Sequence, residues 1–325
     1  MDTPVNALFR DAGSSFQLRS GPGCPKPWAE DVQLKHLVNH TSLGMHYVYG
    51  IPVTRPGGMP SPRDLLNGVH EEELGYAPLL VDKQPGSKFS YSGGGFVVLQ
   101  HLLEEIEKRD IESIMRPFLD GCGMDDFSFD QATQGQCDAV TSRAEGYTDG
   151  GQSVAEGVPL MFPPLAAGGH GTPIALANFL RHLSIAYGNP SGSGAITHST
   201  ARQMLGDENL VDLGCRAFMQ SDMGLGVFVA RAATPQGINK IMLHQAANDG
   251  FRGVYMVCFD GPAAANGPVG FVLLSNGDNQ AMFMNCGIAK ELLKRLEIGG
   301  MEWSKVDGKD FSTEGLKQAE IVNLG

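Results

Sequence analysis

Four short β-rich runs after Asp222 constrain this chain most: MGLGVFVARA, NKIMLHQ, FRGVYMVCFD and PVGFVLLSN. Gly, Pro, Asn and Asp separate them, the residues that turn a chain sharply between strands. Links this short cannot carry the crossover that parallel neighbours require, so the runs are expected to pair antiparallel in a sheet of three or four strands. Helical periodicity appears on both sides. Phe96, Leu99, Leu102, Leu103 and Ile106 mark one face of a helix over 95–108, with Glu104, Glu105 and Glu107 opposite. A second helix runs from Asp110 to the Gly121-Cys122-Gly123 stop. A third, Ile174–Tyr187, starts behind the favourable Thr172-Pro173 cap. A last helix, Gln280–Leu296, presents Phe283, Cys286, Ile288, Leu292 and Leu293. Together these give an α+β fold, an antiparallel sheet flanked by helices.

The first 87 residues are harder to organise. Residues 1–30 are rich in Gly, Pro and Ser and read as loop. A short helix is predicted over Asp31–Asn39 from Val32, Leu34, Leu37 and Val38. Residues 41–87 read as irregular, apart from a polar helical stretch around Arg63–Glu73. The expected division is one domain over 1–298 and a polar tail or linker over 299–325.

Composition matters mainly for what it excludes. With 24 Lys and Arg against 36 Asp and Glu, the formal net charge is −12. Phosphate neutralisation needs clustered cations, so nucleic acid is not an expected partner. The basic run Lys290–Arg295 alternates with leucines, as on the solvated face of a helix. No apolar run approaches the ~18 residues of a membrane span. The opening MDTPVNALFRDAGSS has neither a basic start nor an apolar stretch, so no secretion signal is visible and the cytoplasm is the default compartment. The six cysteines form no Cys-x-x-Cys pair and read as core thiols. His36, His40 and His46 lie close together, but no carboxylate or cysteine completes a ligand set, and neither metal nor cofactor is expected.

Three stretches carry chemistry when read in order: LKHLVNHTSLG (34–44), PGSKFSYSGGGFVVLQHLLEEI (85–106) and LHQAANDGFRGVYMV (243–257). With AEGYTDGG (144–151), LAAGGHGTPIALANFLRHL (165–183) and GFVLLSNGD (270–278), they resemble the serine β-lactamase-related family. That family holds class C β-lactamases, penicillin-binding proteins and esterases of the same fold. The resemblance implies a β-lactamase/transpeptidase-like fold and acyl hydrolysis of small esters, amides or peptide-like compounds. Tyr91 matches the family tyrosine that shuttles a proton, a role a phenol fills near neutrality only beside fixed cations. His244 matches the Lys or His on an edge strand facing the same cleft. Ala247, by position, would supply an N–H to the oxyanion hole. Ser92, Gly93 and Ala246 fall where substrate contacts are made.

This chain also departs from the family pattern. Ser-x-x-Lys, the nucleophile motif, occurs nowhere in it. Tyr-x-Asn reads Tyr91-Ser92-Gly93, and His-x-Gly reads His244-Gln245-Ala246. Three expectations follow. The chain is the downstream portion of a longer hydrolase, without its N-terminal strands and nucleophile helix, and an upstream segment or another chain would complete the sheet. Alternatively it is a pseudoenzyme using the old cleft as a binding or regulatory surface, or a hydrolase using Ser42 or Ser92.

Overall fold

In the computed structural model, residues 1–43, 48–131, 143–192, 194–217 and 220–299 are described, with the backbone of Lys305–Val306 and Lys309–Asp310. The chain divides into two units. One comprises Met1–Phe118, Phe127–Ser142 and Val158–Gly171; the other comprises Leu119–Asp126, Arg143–Gly157 and Thr172–Gly325.

The first unit is helical, with α1 (Val5–Asp11), α2 (Leu34–Val38), α3 (Pro62–Asn67), α4 (Glu71–Leu74), α5 (Gly93–Glu107) and the start of α6 (Ile111–Gly121). Two minimal strand pairs tie its loops. The β1 strand (Arg19–Ser20) runs parallel to β3 (Leu80–Val81), and β2 (Ile51–Pro52) antiparallel to β4 (Leu160–Met161). Helix α5 is the hub. Its Val97, Val98 and Leu102 are buried against Val5, Phe9, Leu37, Leu65 and Leu66, each such side chain contributing about 1.5–3 kcal/mol by its removal from water. Glycine sets how closely α5 approaches α2, because a Cβ on Gly95 would lie 3.2 Å from the Leu37 carbonyl oxygen.

Several expectations for this half are corrected. Residues 1–30 are not all loop: Val5 and Phe9 are fully buried on α1, a short amphipathic turn that Gly/Pro/Ser-rich surroundings mask. The helix expected over 31–39 is confined to Leu34–Val38, behind a separate 3-10 turn at Trp28–Asp31. The stretch at 63–73 splits into α3 and α4 at Gly68, whose φ of 73° ends α3 left-handed. Helix α5 starts at Gly93, not Gly95, because Ser92 caps it.

The second unit is built on one five-stranded antiparallel sheet in the order β5-β6-β7-β8-β9. Its strands are β5 (Asp222–Met223), β6 (Phe228–Thr234), β7 (Gly237–Asn248), β8 (Phe251–Asp260) and β9 (Val269–Ser275). The added strand is β5, two residues long and therefore invisible to a search for alternation. Helices α7 (Pro173–Gly188) and α9 (Asn279–Arg295) pack on β8 and β9. Helix α8 (His198–Leu205), capped by the Thr197 side chain, was not expected from the sequence. The Phe283 side chain lies outside the described residues. Register decides what is exposed at the end of β7. Pairing with β6 stops at Phe228↔Leu243, whereas pairing with β8 continues to Asn248↔Phe251. So β7 is an internal strand to Leu243 and an edge from His244 onward. At the far side, β9 pairs with β8 and with no other strand among the described residues. No described helix is long and apolar enough to cross a membrane.

Candidate functional site

In the first unit the His-Thr-Ser turn meets the N-terminus of α5. The His40 main chain takes a φ of 57°, which places its ring inward after α2 ends. That ring is buried, and its Nδ1 accepts a hydrogen bond from the Ser92 N–H at 3.1 Å. The His40 carbonyl accepts from the Ser90 N–H at 2.8 Å, and the Thr41 carbonyl from Gly86 at 2.8 Å. Two backbone segments are thereby zipped across the turn, and the residues between them are held in place. The His40 ring lies 4.2 Å from the Tyr91 ring at 31°, with Phe96 at 5.5 Å and Phe89 at 6.0 Å. The His-Thr-Ser motif marks His40 in the sequence, but nothing local to it signals the bond to Ser92.

Tyr91 is 40% exposed, yet the protein around its hydroxyl burdens the charged form and pushes its pKa up to about 12. Burial is the cause of that shift, and it runs opposite to the depression a phenolate base needs. The phenol is therefore protonated at neutral pH. Both candidate serines are buried and committed. The Ser92 hydroxyl accepts from the Gly95 N–H at 3.3 Å as the cap of α5, and the Ser42 hydroxyl donates to the His36 carbonyl at 3.1 Å. His36 is itself a cap, its Nδ1 accepting from the Gln33 N–H at 3.1 Å. Gly93 is buried directly behind Ser92. Among the described residues no group of three His, Cys, Asp or Glu side chains could hold a metal; His46 lies outside them.

In the second unit, His244 opens the exposed end of β7. Its ring sits 5.2 Å from Phe228 and 6.4 Å from Tyr255, its cross-strand partner. Burial lowers its pKa, opposed by a hydrogen bond to the Gln245 carbonyl. With Nδ1 donating there, Nε2 of the neutral ring keeps its lone pair. Ala246 and Ala247 follow, exposed, opposite Gly253 and Arg252. The turn beyond them is fixed by close backbone packing. Gly250 has a φ of 74°, and a Cβ there would lie 2.6 Å from Val154 and 2.8 Å from Gly146. The segment 143–157 is thus clamped on the β7–β8 turn, helped by Asn276 donating to the Glu145 carbonyl at 3.0 Å. Arg252 is buried beneath, its guanidinium bonded to Asp278 and to the Phe251 carbonyl.

The Beta-lactamase family model matches residues 2–289, and the chain belongs to that family. A search of curated proteins gives no match. Solved structures share the fold at low identity. An octameric penicillin-binding protein homologue from Pyrococcus abyssi matches with a TM-score of 0.61 and 17% identity over 92% of this chain, which spans only 60% of that one. D-amino acid amidase from Ochrobactrum anthropi SV3 gives 0.58 and 15%, covering 90% of this chain and 82% of its own. A β-lactamase/D-alanine carboxypeptidase from Pseudomonas syringae gives 0.55 and 14%, covering 90% and 81%. The antiparallel sheet with flanking helices and the family expected from the motifs are both borne out.

Proposed function

We propose that residues 1–298 form a β-lactamase-family hydrolase domain, with a polar tail from 299, that by itself holds a small acyl compound without turning it over. The absence of Ser-x-x-Lys from this sequence carries the reading, and the Tyr91 environment accords with it. General-base work needs a pKa near the operating pH, whereas burial pushes this phenol up to about 12. Tyr91 then serves as a hydrogen-bonding wall. The chain has no Ser-x-x-Lys, and the buried Ser42 hydroxyl donates to a backbone carbonyl while the buried Ser92 hydroxyl caps α5, which argues against a substitute nucleophile. Exposed Tyr91 is assigned as a candidate ligand contact of the first unit, and separately His244 with exposed Ala246 and Ala247 as candidate contacts of the second. Burial disfavours the charged form of the His244 ring. The names of the amidase and carboxypeptidase neighbours support an ester, amide or peptide-like ligand. Among the described residues β9 pairs with β8 alone, which favours a second reading, in which further polypeptide pairs there and supplies a serine and lysine.

The test is kinetic and thermodynamic. Hydrolysis of p-nitrophenyl acetate is expected to be no faster than in Tyr91→Phe. An N-acetyl dipeptide amide should bind saturably, about tenfold more weakly in His244→Ala. Rapid turnover abolished by Ser42→Ala or Ser92→Ala would sink the proposal.

A further inference from the structure

A cleft lies farther along α5, about 15 Å from its Ser92 end at 1.5 Å per residue. Its volume is about 310 Å³, and it is lined by Ser61, Pro62, Arg63, His101, Glu104 and Glu105. His101, Glu104 and Glu105 stand at i, i+3 and i+4, so one helix face presents all three. His101 is 5% exposed, held between Phe9 at 5.3 Å and Phe16 at 5.0 Å. Its Nε2 has no hydrogen-bond partner; the Glu105 carboxylate is 3.8 Å away, beyond hydrogen-bonding reach. Burial lowers the pKa of His101, which keeps the imidazole neutral.

The two carboxylates differ. Glu105 is balanced by Lys108 at 3.0 Å. Glu104 is half-buried and accepts from Gln100 Nε2 at 3.0 Å, but no cation pairs with it among the described residues. Burial raises its pKa. His101, whose buried Nε2 has no partner, and Glu104, whose carboxylate has no cation among the described residues, therefore both line one cleft, and Arg63 stands exposed at its rim.

We propose that this cleft binds a small amino-carboxylate zwitterion, its primary ammonium donating to His101 Nε2 and Glu104 and its carboxylate meeting Arg63. An ammonium has several donors for acceptors converging from one helix face. A bare amine would meet repulsion from Arg63, and a bare carboxylate would meet it from Glu104. A divalent cation fits poorly, since no three described side chains form a metal-holding group. The site is independent of the acyl-binding reading above.

Isothermal titration of the full chain tests this with 4-aminobutanoate as probe, and with butylamine, butanoate and zinc chloride as comparators. 4-Aminobutanoate is expected to saturate in the millimolar range, and butanoate to bind at least about tenfold more weakly. Glu104→Gln should weaken the zwitterion about tenfold and Arg63→Ala severalfold, with unchanged far-UV circular dichroism. In nitrogen-detected NMR, His101 Nε2 should shift on addition of the probe. The proposal is overturned by absence of saturation, by butanoate or zinc binding as well as the zwitterion, or by an unmoved His101 signal. Unaltered affinity in folded Glu104→Gln has the same force.

Discussion

Replacing His40 by alanine removes the one side chain that both caps and walls the Tyr91–Ser92 turn. The Ser92 N–H, bonded to Nδ1 at 3.1 Å in a buried position, would lose its acceptor, which costs about 1–3 kcal/mol. The ring also fills space beside Tyr91, Phe89 and Phe96, and truncating a buried aromatic costs about 3–5 kcal/mol. The two terms overlap, because solvent entering the vacated space can reach the amide. A net loss of about 4 kcal/mol is expected, large against the roughly 5–15 kcal/mol typical of folded proteins. The left-handed φ of 57° gives alanine no relief, since among residues with a Cβ only Asn and Asp adopt it readily. His40→Asn separates the terms. Asparagine tolerates this backbone region and returns an acceptor oxygen, so it should recover about 1–2 kcal/mol. Urea unfolding followed by circular dichroism measures the stability. Ultraviolet titration, with Tyr91→Phe subtracted, follows the phenol, which should fall from about 12 towards the ordinary value near ~10 in His40→Ala. A loss under about 1 kcal/mol with an unmoved Tyr91 titration would refute this account of the turn.

Three other substitutions probe the frame. Gly68→Ala should cost about 2–4 kcal/mol by urea titration, because its φ is 73° and a Cβ would lie 2.5 Å from Pro78; a neutral result would mean that Pro78 yields freely. Arg252→Leu should cost about 3 kcal/mol by leaving Asp278 without its cation, and adding Asp278→Asn should restore part of it; a strictly additive double mutant contradicts the pairing. For Asp222, burial raises the pKa, but hydrogen bonds from Arg216 and Arg231 more than offset it and the net shift is downward. A depressed folded pKa stabilises above the unfolded value of about 3.9 and is lost as pH falls through the folded one. Asp222→Asn should therefore be less stable than wild type at neutral pH, with the gap closing below about pH 4; a pH-independent gap would exclude the charge as its source.

What was legible in the sequence follows from the range of the interactions responsible. Alternation within β6 to β9 and the periodicity of α5, α7 and α9 are local patterns repeated over many residues, so these elements stood out. The two-residue β5 and the seven-residue α1 are too short to show a period, and only packing of Val5 and Phe9 beneath α5 gives α1 a reason to exist. The family was readable because its motifs survive in order. His40's service to Ser92 was not, because it joins residues 52 apart through a nitrogen lone pair.

Residue order alone settled the antiparallel sheet, the main helices, the family and the absence of Ser-x-x-Lys, since each is a statement about neighbours along the chain. Three-dimensional packing settled the rest: that β7 becomes an edge at His244, that the Ser42 and Ser92 hydroxyls bond to backbone, and that burial disfavours the Tyr91 phenolate. Those outcomes depend on burial and on partners distant in sequence, and the free energy of a buried polar group is decided by what surrounds it.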